Sequence, residues 1–255
     1  MPSTTVGYEL IRNWAFRFEN DEKEFTDYLL TGQPEPPKYF AMMKKINKED
    51  RPLLPYVPQH PKLTRDQFLS AYQGGAKIID TRPKSVHAAG AIPESLSIEN
   101  SPSFSTWVGW QICYDQQIVL VADDAQVEDL TRKLMRIGMD NILGYISSVD
   151  DLGLALETRD IIDMETFKSL LDSTDVQVVD VRNATEYAAE HVPGAINLFV
   201  GTLGDHLAEL DSSKRLVVHC ESGARAAIAQ SILAAHGLKD VQNFSGGMAE
   251  WRRRS

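Results

Sequence analysis

Cysteine is nearly absent from this 255-residue chain: Cys113 and Cys220 are the only two. Two thiols cannot build a disulfide scaffold, and such sparing use points to a reducing compartment, the cytoplasm, where a free thiol stays usable. Long apolar runs are lacking too. No stretch approaches the roughly 20 residues of a transmembrane helix, and MPSTTVGYELIRNW at the start has no apolar core of a secretory signal. Basic charge is in deficit. With 26 Lys and Arg against 36 Asp and Glu the net charge is −10, which argues against nucleic acid and anionic membrane surfaces as partners. The six histidines (His60, His87, His191, His206, His219, His236) are scattered. No HxHxDH cluster or other metal-ligand spacing occurs, so no metal or other cofactor is expected. What remains is the composition of a soluble globular protein, 43% hydrophobic and 24% charged, in a chain long enough for two domains.

The chain is organised around Lys214 to Gly237, KRLVVHCESGARAAIAQSILAAHG. Leu216, Val217 and Val218 form the short apolar run of a buried parallel strand. From Ala224 the residues become helix formers, with Ile228, Ile232, Leu233 and Ala235 at near-helical spacing and Gly237 as the stop. Between strand and helix lies Cys220, in the tight loop Cys220–Glu221–Ser222–Gly223–Ala224–Arg225. A thiol there faces the loop's N–H groups and the positive end of the following helix, and both favour the thiolate. Gly223 allows a tight curl with unshielded N–H groups, and Arg225 adds positive charge at the rim. A lone cysteine is more often a packing residue; Gly223, Arg225 and a helix start in the same loop favour a reactive thiol.

Residues 1–58 differ from the rest. Asp21 to Leu30 reads as an amphipathic helix with Phe25, Tyr28, Leu29 and Leu30 on one side and Gly32 as its end. QPEPP is a stiff turn, Lys38 to Asn47 a second helix, and RPLLPYVPQHP a proline-rich linker. Two helices are too few to fold alone, so they either pack on the rest of the chain or end something longer. Beyond them lies an internal repeat. KIIDTRPKSVHAAGAIPESLSI at 77–98 matches QVVDVRNATEYAAEHVPGAINL at 177–198 at an offset of one hundred residues, pairing Asp80 with Asp180, Arg82 with Arg182 and Pro93 with Pro193. Each unit opens with a helix capped by Thr64 or Asp163. Strands follow at Lys77–Asp80 or Val176–Asp180 and after Pro93 or Pro193, and each unit closes with strand, loop, helix and a short strand (Ile142–Tyr145, Val241–Phe244). This alternation indicates α/β units with parallel sheets covered on both faces, whose sites lie at the carboxyl ends of the strands.

The repeats part company at the loop. Ala122 stands where Cys220 does, Asp123 and Asp124 bring negative charge, and Arg225 is answered by Gln126 or Val127. The two aspartates are expected to cap the helix after them. Cys113, flanked by aromatics, reads as a packing residue, and because the two cysteines fall in different repeats they are not expected to pair.

The second repeat resembles a rhodanese domain. The resemblance is carried by Asp180–Val181–Arg182, Glu186–Tyr187, His191 through Asn197, the loop Cys220–Arg225 and the end Gly246–Gly247–Met248–Ala249–Glu250–Trp251. The first repeat resembles a rhodanese domain without its catalytic cysteine; there His191 is answered by Ala91 and Gly194 by Glu94. The N-terminal residues PSTTVGYE and FTDYLLTGQPEPPKYFAMMKKIN are similar to the last part of the metal domain in metallo-β-lactamase-like persulfide dioxygenase–rhodanese fusions. The expectation is an α/β fold of two rhodanese-like domains, each a parallel sheet flanked by helices, after a helical N-terminal segment. The domains are 1–58, a helical remnant plus linker; 59–154, an inactive unit; and 155–255, an active one. Most of the metal domain is absent, so the family's iron-dependent oxygenation is not carried over.

The resemblance implies a sulfurtransferase. Cys220 would take sulfane sulfur from thiosulfate or a low-molecular-weight persulfide and pass it to a thiol, sulfite or cyanide. N–H groups of Glu221, Ser222, Gly223, Ala224 and Arg225 would hold the anionic persulfide, and Arg225 would either hold the donor or brace the loop. Asp180 with Arg182 reads as a buried structural pair, His191 as a turn anchor, His219 as packed, Trp251 with Gly246–Gly247 as a closing core contact, and Arg252–Arg254 as a solvated tail. Two alternatives stay open: a phosphatase of rhodanese fold, and a non-catalytic sulfur-carrier or binding module. The four residues between Cys220 and Arg225 suit a single sulfur better than a tetrahedral phosphate. The partners expected are small sulfur donors and thiol or sulfite acceptors. The inactive repeat would shape the donor pocket, or hold a homo-oligomer and orient the missing metal domain.

Overall fold

The apolar runs form strands and the capped stretches form helices in the computed structural model, which describes residues 3–18, 20–31, 33, 36–50 and 54–254. The chain divides into two compact units, Met1–Pro36 and Pro37–Ser255. The smaller holds α1 (Val6–Arg12), a 3-10 turn at Trp14–Phe18 and α2 (Glu22–Leu30). Thr5 and Asp21 cap the two helices by accepting the N–H groups of Tyr8 and Glu24. Trp14, Phe18, Phe25 and Tyr28 cluster, with Trp14 and Tyr28 ring centres 4.9 Å apart, yet neither helix buries a residue. Gly32, Pro34 and Glu35, and residues 51–53 of the proline-rich linker, lie outside the described residues.

The larger unit begins with α3 (Tyr39–Ile46). Tyr39 is buried against Gly109, where a Cβ would collide with its ring, and Ile46 lies against Gly138. Of the two expectations for this second helix, packing on the rest of the chain is the one realised.

Two parallel sheets come next. The first repeat contains α4 (Arg65–Gln73), β1 (Lys77–Asp80), α5 (Lys84–Ala89), β2 (Leu96–Ser97), α6 (Phe104–Gln111), β3 (Ile118–Val121), α7 (Val127–Met135) and β4 (Ile142–Ile146). Its strand order is β2-β1-β3-β4, with Lys62 bridging to Tyr145 at the edge. The second contains β5 (Asp160–Ile162), α8 (Met164–Leu170), β6 (Val176–Asp180), α9 (Ala184–Ala189), β7 (Ile196–Asn197), β8 (Arg215–His219), α10 (Ala224–Ala235), β9 (Val241–Phe244) and α11 (Gly247–Arg254). Its order is β5-β9-β8-β6-β7, the same arrangement read from the other edge. The two rhodanese-like domains of the expected fold are thus present. Thr64 and Asp163 cap α4 and α8 as anticipated, Thr64 in a capping box with Gln67. The edge strand β5 is an addition to the expected order, in which the unit opens with the helix capped by Asp163.

The domains share one core. Ile79, Leu96, Phe104 and Val108 of the first are continuous with Val179, Val200, Ile228 and Leu233 of the second. Helix α10 packs on its own sheet and on β2 of the other, and the Ser97 N–H donates to Ser231 Oγ at 3.1 Å. That placement explains why α10 is apolar all round rather than along one stripe. Trp110 packs against Phe199 and Gly201 across the same junction. Among the described residues no helix is long and apolar enough to cross a membrane. Cys113 corrects its expectation: it is exposed, because α6 ends at Gln111 and Cys113 opens a turn in which its carbonyl accepts the N–H of Gln116.

Candidate active site

Strand β8 ends at His219 and delivers Cys220 to the carboxyl edge of the second sheet. The cysteine is free, and its residue is 1% exposed. Gly223 adopts φ +83°, in the left-handed region that side chains disfavour, and starts α10. A Cβ there would lie 2.5 Å from the carbonyl oxygen of Ser245, so the loop can close only around a glycine. The curl brings the Gly223 N–H to 3.2 Å from Cys220 Sγ.

The remaining loop peptides are oriented from behind. The first N–H groups of α11 lack helical partners; Met248 donates to the Cys220 carbonyl at 2.8 Å and Ala249 to the Glu221 carbonyl at 3.0 Å. In a planar trans peptide the N–H points opposite to the C=O. The N–H groups of Glu221 and Ser222 are therefore turned away from α11. Together with those of Ala224 and Arg225 they make no hydrogen bond to a protein acceptor among the described residues. Gly247, at φ +56°, allows this docking: a Cβ would strike the carbonyls of Cys220 and Glu221. Open N–H groups at a helix N-terminus beside a sulfur form a receptor for an anion carried on that sulfur.

The charges around the loop are matched. Arg225 donates two hydrogen bonds, at 2.6 and 2.7 Å, to the Glu186 carboxylate. Burial lowers the pKa of Arg225, but the Glu186 hydrogen bonds and the charges of Cys220, Glu186 and Asp180 raise it further than burial lowers it. The Arg225 hydrogen bonds hold Glu186 below the usual carboxylate range. Glu186 also closes the capping box of α9 with Asn183, so this ion pair ties the loop to α9. Arg182 is buried on Asp180, with contacts of 2.6 to 3.0 Å, and donates to the Glu190 carbonyl. Asp180 with Arg182 is the structural pair expected, and Arg82 repeats the arrangement on Asp80 and the Gly90 carbonyl. His191 anchors a turn through the Tyr187 carbonyl at 2.9 Å. His219 is buried against Phe167, and burial pushes its pKa down.

Two expectations fail here. The arginine tail is not merely solvated: Arg252 bridges Glu221 at 2.7 Å and Glu190 at 2.6 Å, linking α11 to the active loop. Asp123 and Asp124 cap nothing, for neither the 3-10 turn Asp124–Gln126 nor α7 has a side-chain cap; Asp124 instead pairs with Lys62 at 3.0 Å. The structure brings Cys220, Glu221, Ser222, Gly223, Ala224 and Arg225 together as one loop. It adds Glu186, Gly247 and Arg252, whose roles sequence reading missed, although a Gly-Gly pair before a helical run was a usable signal. Among the described residues no group of three or more His, Cys, Asp or Glu could hold a metal ion.

Residues 163–254 match the model of the rhodanese-like domain. A thiosulfate sulfurtransferase, GlpE, of Pseudomonas savastanoi pv. phaseolicola is 35% identical over 75 residues, 29% of this chain and 71% of that protein. This chain belongs to the rhodanese-like family. A putative sulfur carrier protein, YrkF, of Bacillus subtilis is 32% identical over 48% of the chain and 62% of the relative. The chain spans 36 to 62% of the length of that relative and two further curated ones. A solved metallo-beta-lactamase from Staphylococcus aureus subsp. aureus COL aligns at 36% identity over 57% of this chain and 39% of that one, with a TM-score of 0.48. The matched region contains Cys220, Glu186, Gly223, Gly247 and Arg252.

Proposed function

We propose that the chain is a rhodanese-type sulfurtransferase that moves sulfane sulfur from thiosulfate or a low-molecular-weight persulfide through Cys220 to a thiol, sulfite or cyanide. The observation that carries this reading is the Gly223 N–H on Cys220 Sγ at 3.2 Å, inside a loop whose other N–H groups are open. The Cys220 thiolate attacks the outer sulfur of the donor. A bond forms between Sγ and that sulfur, the donor's S–S bond breaks, and its electron pair leaves with sulfite or a thiolate. The terminal sulfur of the cysteine persulfide carries the negative charge, which the N–H groups of Glu221 through Arg225 receive. An acceptor then attacks that sulfur and the electron pair returns to Cys220, so the kinetics are ping-pong. Arg225, engaged by Glu186, braces the loop rather than holding the donor. That engagement, with only four residues between Cys220 and Arg225, also disfavours the phosphatase reading.

The first repeat, with Ala122 in place of the nucleophile, is proposed as the inactive member of a tandem. The domains are proposed at 59–154 and 155–255, after an N-terminal segment derived from a persulfide dioxygenase–rhodanese fusion, in a cytoplasmic protein. The test is intact mass after incubation with thiosulfate and, separately, with glutathione persulfide. One added sulfur located on Cys220, and absent in Cys220→Ser, is expected. No added sulfur from either donor would refute the activity.

A further inference from the structure

One side chain from the first repeat reaches the active loop. Lys84, the first residue of α5, donates from Nζ to the Ser222 carbonyl at 2.9 Å, across 138 residues of sequence. That carbonyl belongs to the same peptide group as the Gly223 N–H that lies on Cys220 Sγ. The C=O and N–H of one trans peptide point in opposite directions. The lysine therefore holds the far end of the single amide whose near end meets the sulfur. The ammonium charge also polarises that amide, since a hydrogen bond accepted at the oxygen strengthens the one donated at the nitrogen.

The neighbouring cations are committed elsewhere: Arg225 to Glu186, Arg182 to Asp180, and Arg252 to Glu190 and Glu221. Lys84 has no carboxylate within ion-pair distance among the described residues. Glu99 accepts the backbone N–H of Lys84, not its ammonium. Lys84 follows β1, whose Ile79 lies in the same core as Ile228 and Leu233 of α10.

We infer that Lys84 is a positioning residue for the reaction at Cys220: the nominally inactive repeat completes the anion cradle of the active one by fixing and polarising the Ser222–Gly223 amide. This deepens the sulfur-transfer reading and rests on it for the chemistry, though not for the geometry. Ser222 is exposed and Lys84 half-buried, so replacing the lysine is expected to leave the fold intact.

The experiment compares Lys84→Met and Lys84→Arg with the parent chain by three readouts. The first is the pH profile of iodoacetamide alkylation at Cys220, the second the rate of sulfur loading from thiosulfate and from a less charged alkyl persulfide, and the third thermal unfolding. In Lys84→Met the alkylation profile should move up by about half a pH unit. Loading should slow about fivefold with both donors, since the cradle and not donor charge is affected. Lys84→Arg should restore both, and unfolding should not change. An unmoved pH profile in Lys84→Met, or a loading defect confined to thiosulfate, overturns the inference. If the parent chain takes sulfur from no donor, the sulfurtransferase reading falls, and the alkylation profile still decides the role of the lysine.

Discussion

The two repeats share a frame and differ in one loop. In both, an aspartate at the end of a strand is buried beneath an arginine two residues on, Asp80 with Arg82 and Asp180 with Arg182, and the arginine reaches a carbonyl eight residues further. Both keep left-handed backbone in the turn after the proline: Gly194 at φ +80° and Glu94 at φ +62°. The frame thus holds the left-handed step even where glutamate replaces glycine. The loops are otherwise. After β8 the chain curls through left-handed Gly223, so that an N–H falls on Cys220. After β3 it passes Ala122 and Asp123, the latter at φ −63°, into a 3-10 turn whose acid faces Lys62. Without the left-handed step no cradle forms. The two loops thus differ in a single backbone conformation and one sulfur.

The largest effect should come from spoiling the docking behind the active loop. Gly247→Ala sets a Cβ against the carbonyls of Cys220 and Glu221 at φ +56°. Left-handed strain alone costs about 1–2 kcal/mol, and the displaced α11 releases both carbonyls. Sulfur transfer should fall by about a hundredfold or more, measured with thiosulfate and cyanide, whereas Gly90→Ala in the first repeat, with only Leu156 nearby, should be nearly silent.

Next is the junction. Trp110, buried against Phe199 and Gly201, should cost about 3 kcal/mol on replacement by alanine, seen in urea unfolding. If the domains were independent, the loss would appear in one transition and leave the other unmoved; a shared core predicts one transition shifted as a whole.

The third contrast is acid sensitivity. His87 is buried against Ser95, and burial pushes its pKa to about 4, whereas its counterpart Tyr187 donates its hydroxyl to the Ala195 carbonyl. The unfolded chain binds a proton near pH 6.5 and the folded one does not until about 4, so stability rises with pH across that window. Full stability holds above pH 6.5, and roughly 3 kcal/mol is lost by pH 4. His219, also lowered by burial, adds to the same slope. Unfolding of His87→Gln followed between pH 7 and pH 4 should show a flatter dependence.

Much of this was legible. Strand, loop and helix around Cys220 follow from an apolar run giving way to helix formers, and the tandem from the offset of one hundred residues. What holds the loop was not legible, because it comes from residues distant in sequence: Lys84, Glu186, Gly247 and Arg252 carry no local pattern that names their partner. The misreading of Asp123 and Asp124 has the same origin. Proximity to a helix start suggests a cap, but Lys62, on the edge segment beside β4, offered Asp124 a full charge instead. Cys113 misled because aromatic neighbours in sequence do not place a residue on the buried side of a turn.

The smallest effect should come from moving the nucleophile across. Ala122→Cys with Val127→Arg restores sulfur and cation to the first loop but not the left-handed step, and in Cys220→Ser it should return less than about a hundredth of the parent activity.

The most direct test of the account is the location of sulfur after exposure to donor. Intact mass and peptide mapping after thiosulfate or glutathione persulfide should find one added sulfur, on Cys220 and not on the exposed Cys113. Sulfur on Cys113 instead, or full transfer activity in Cys220→Ser, would contradict it.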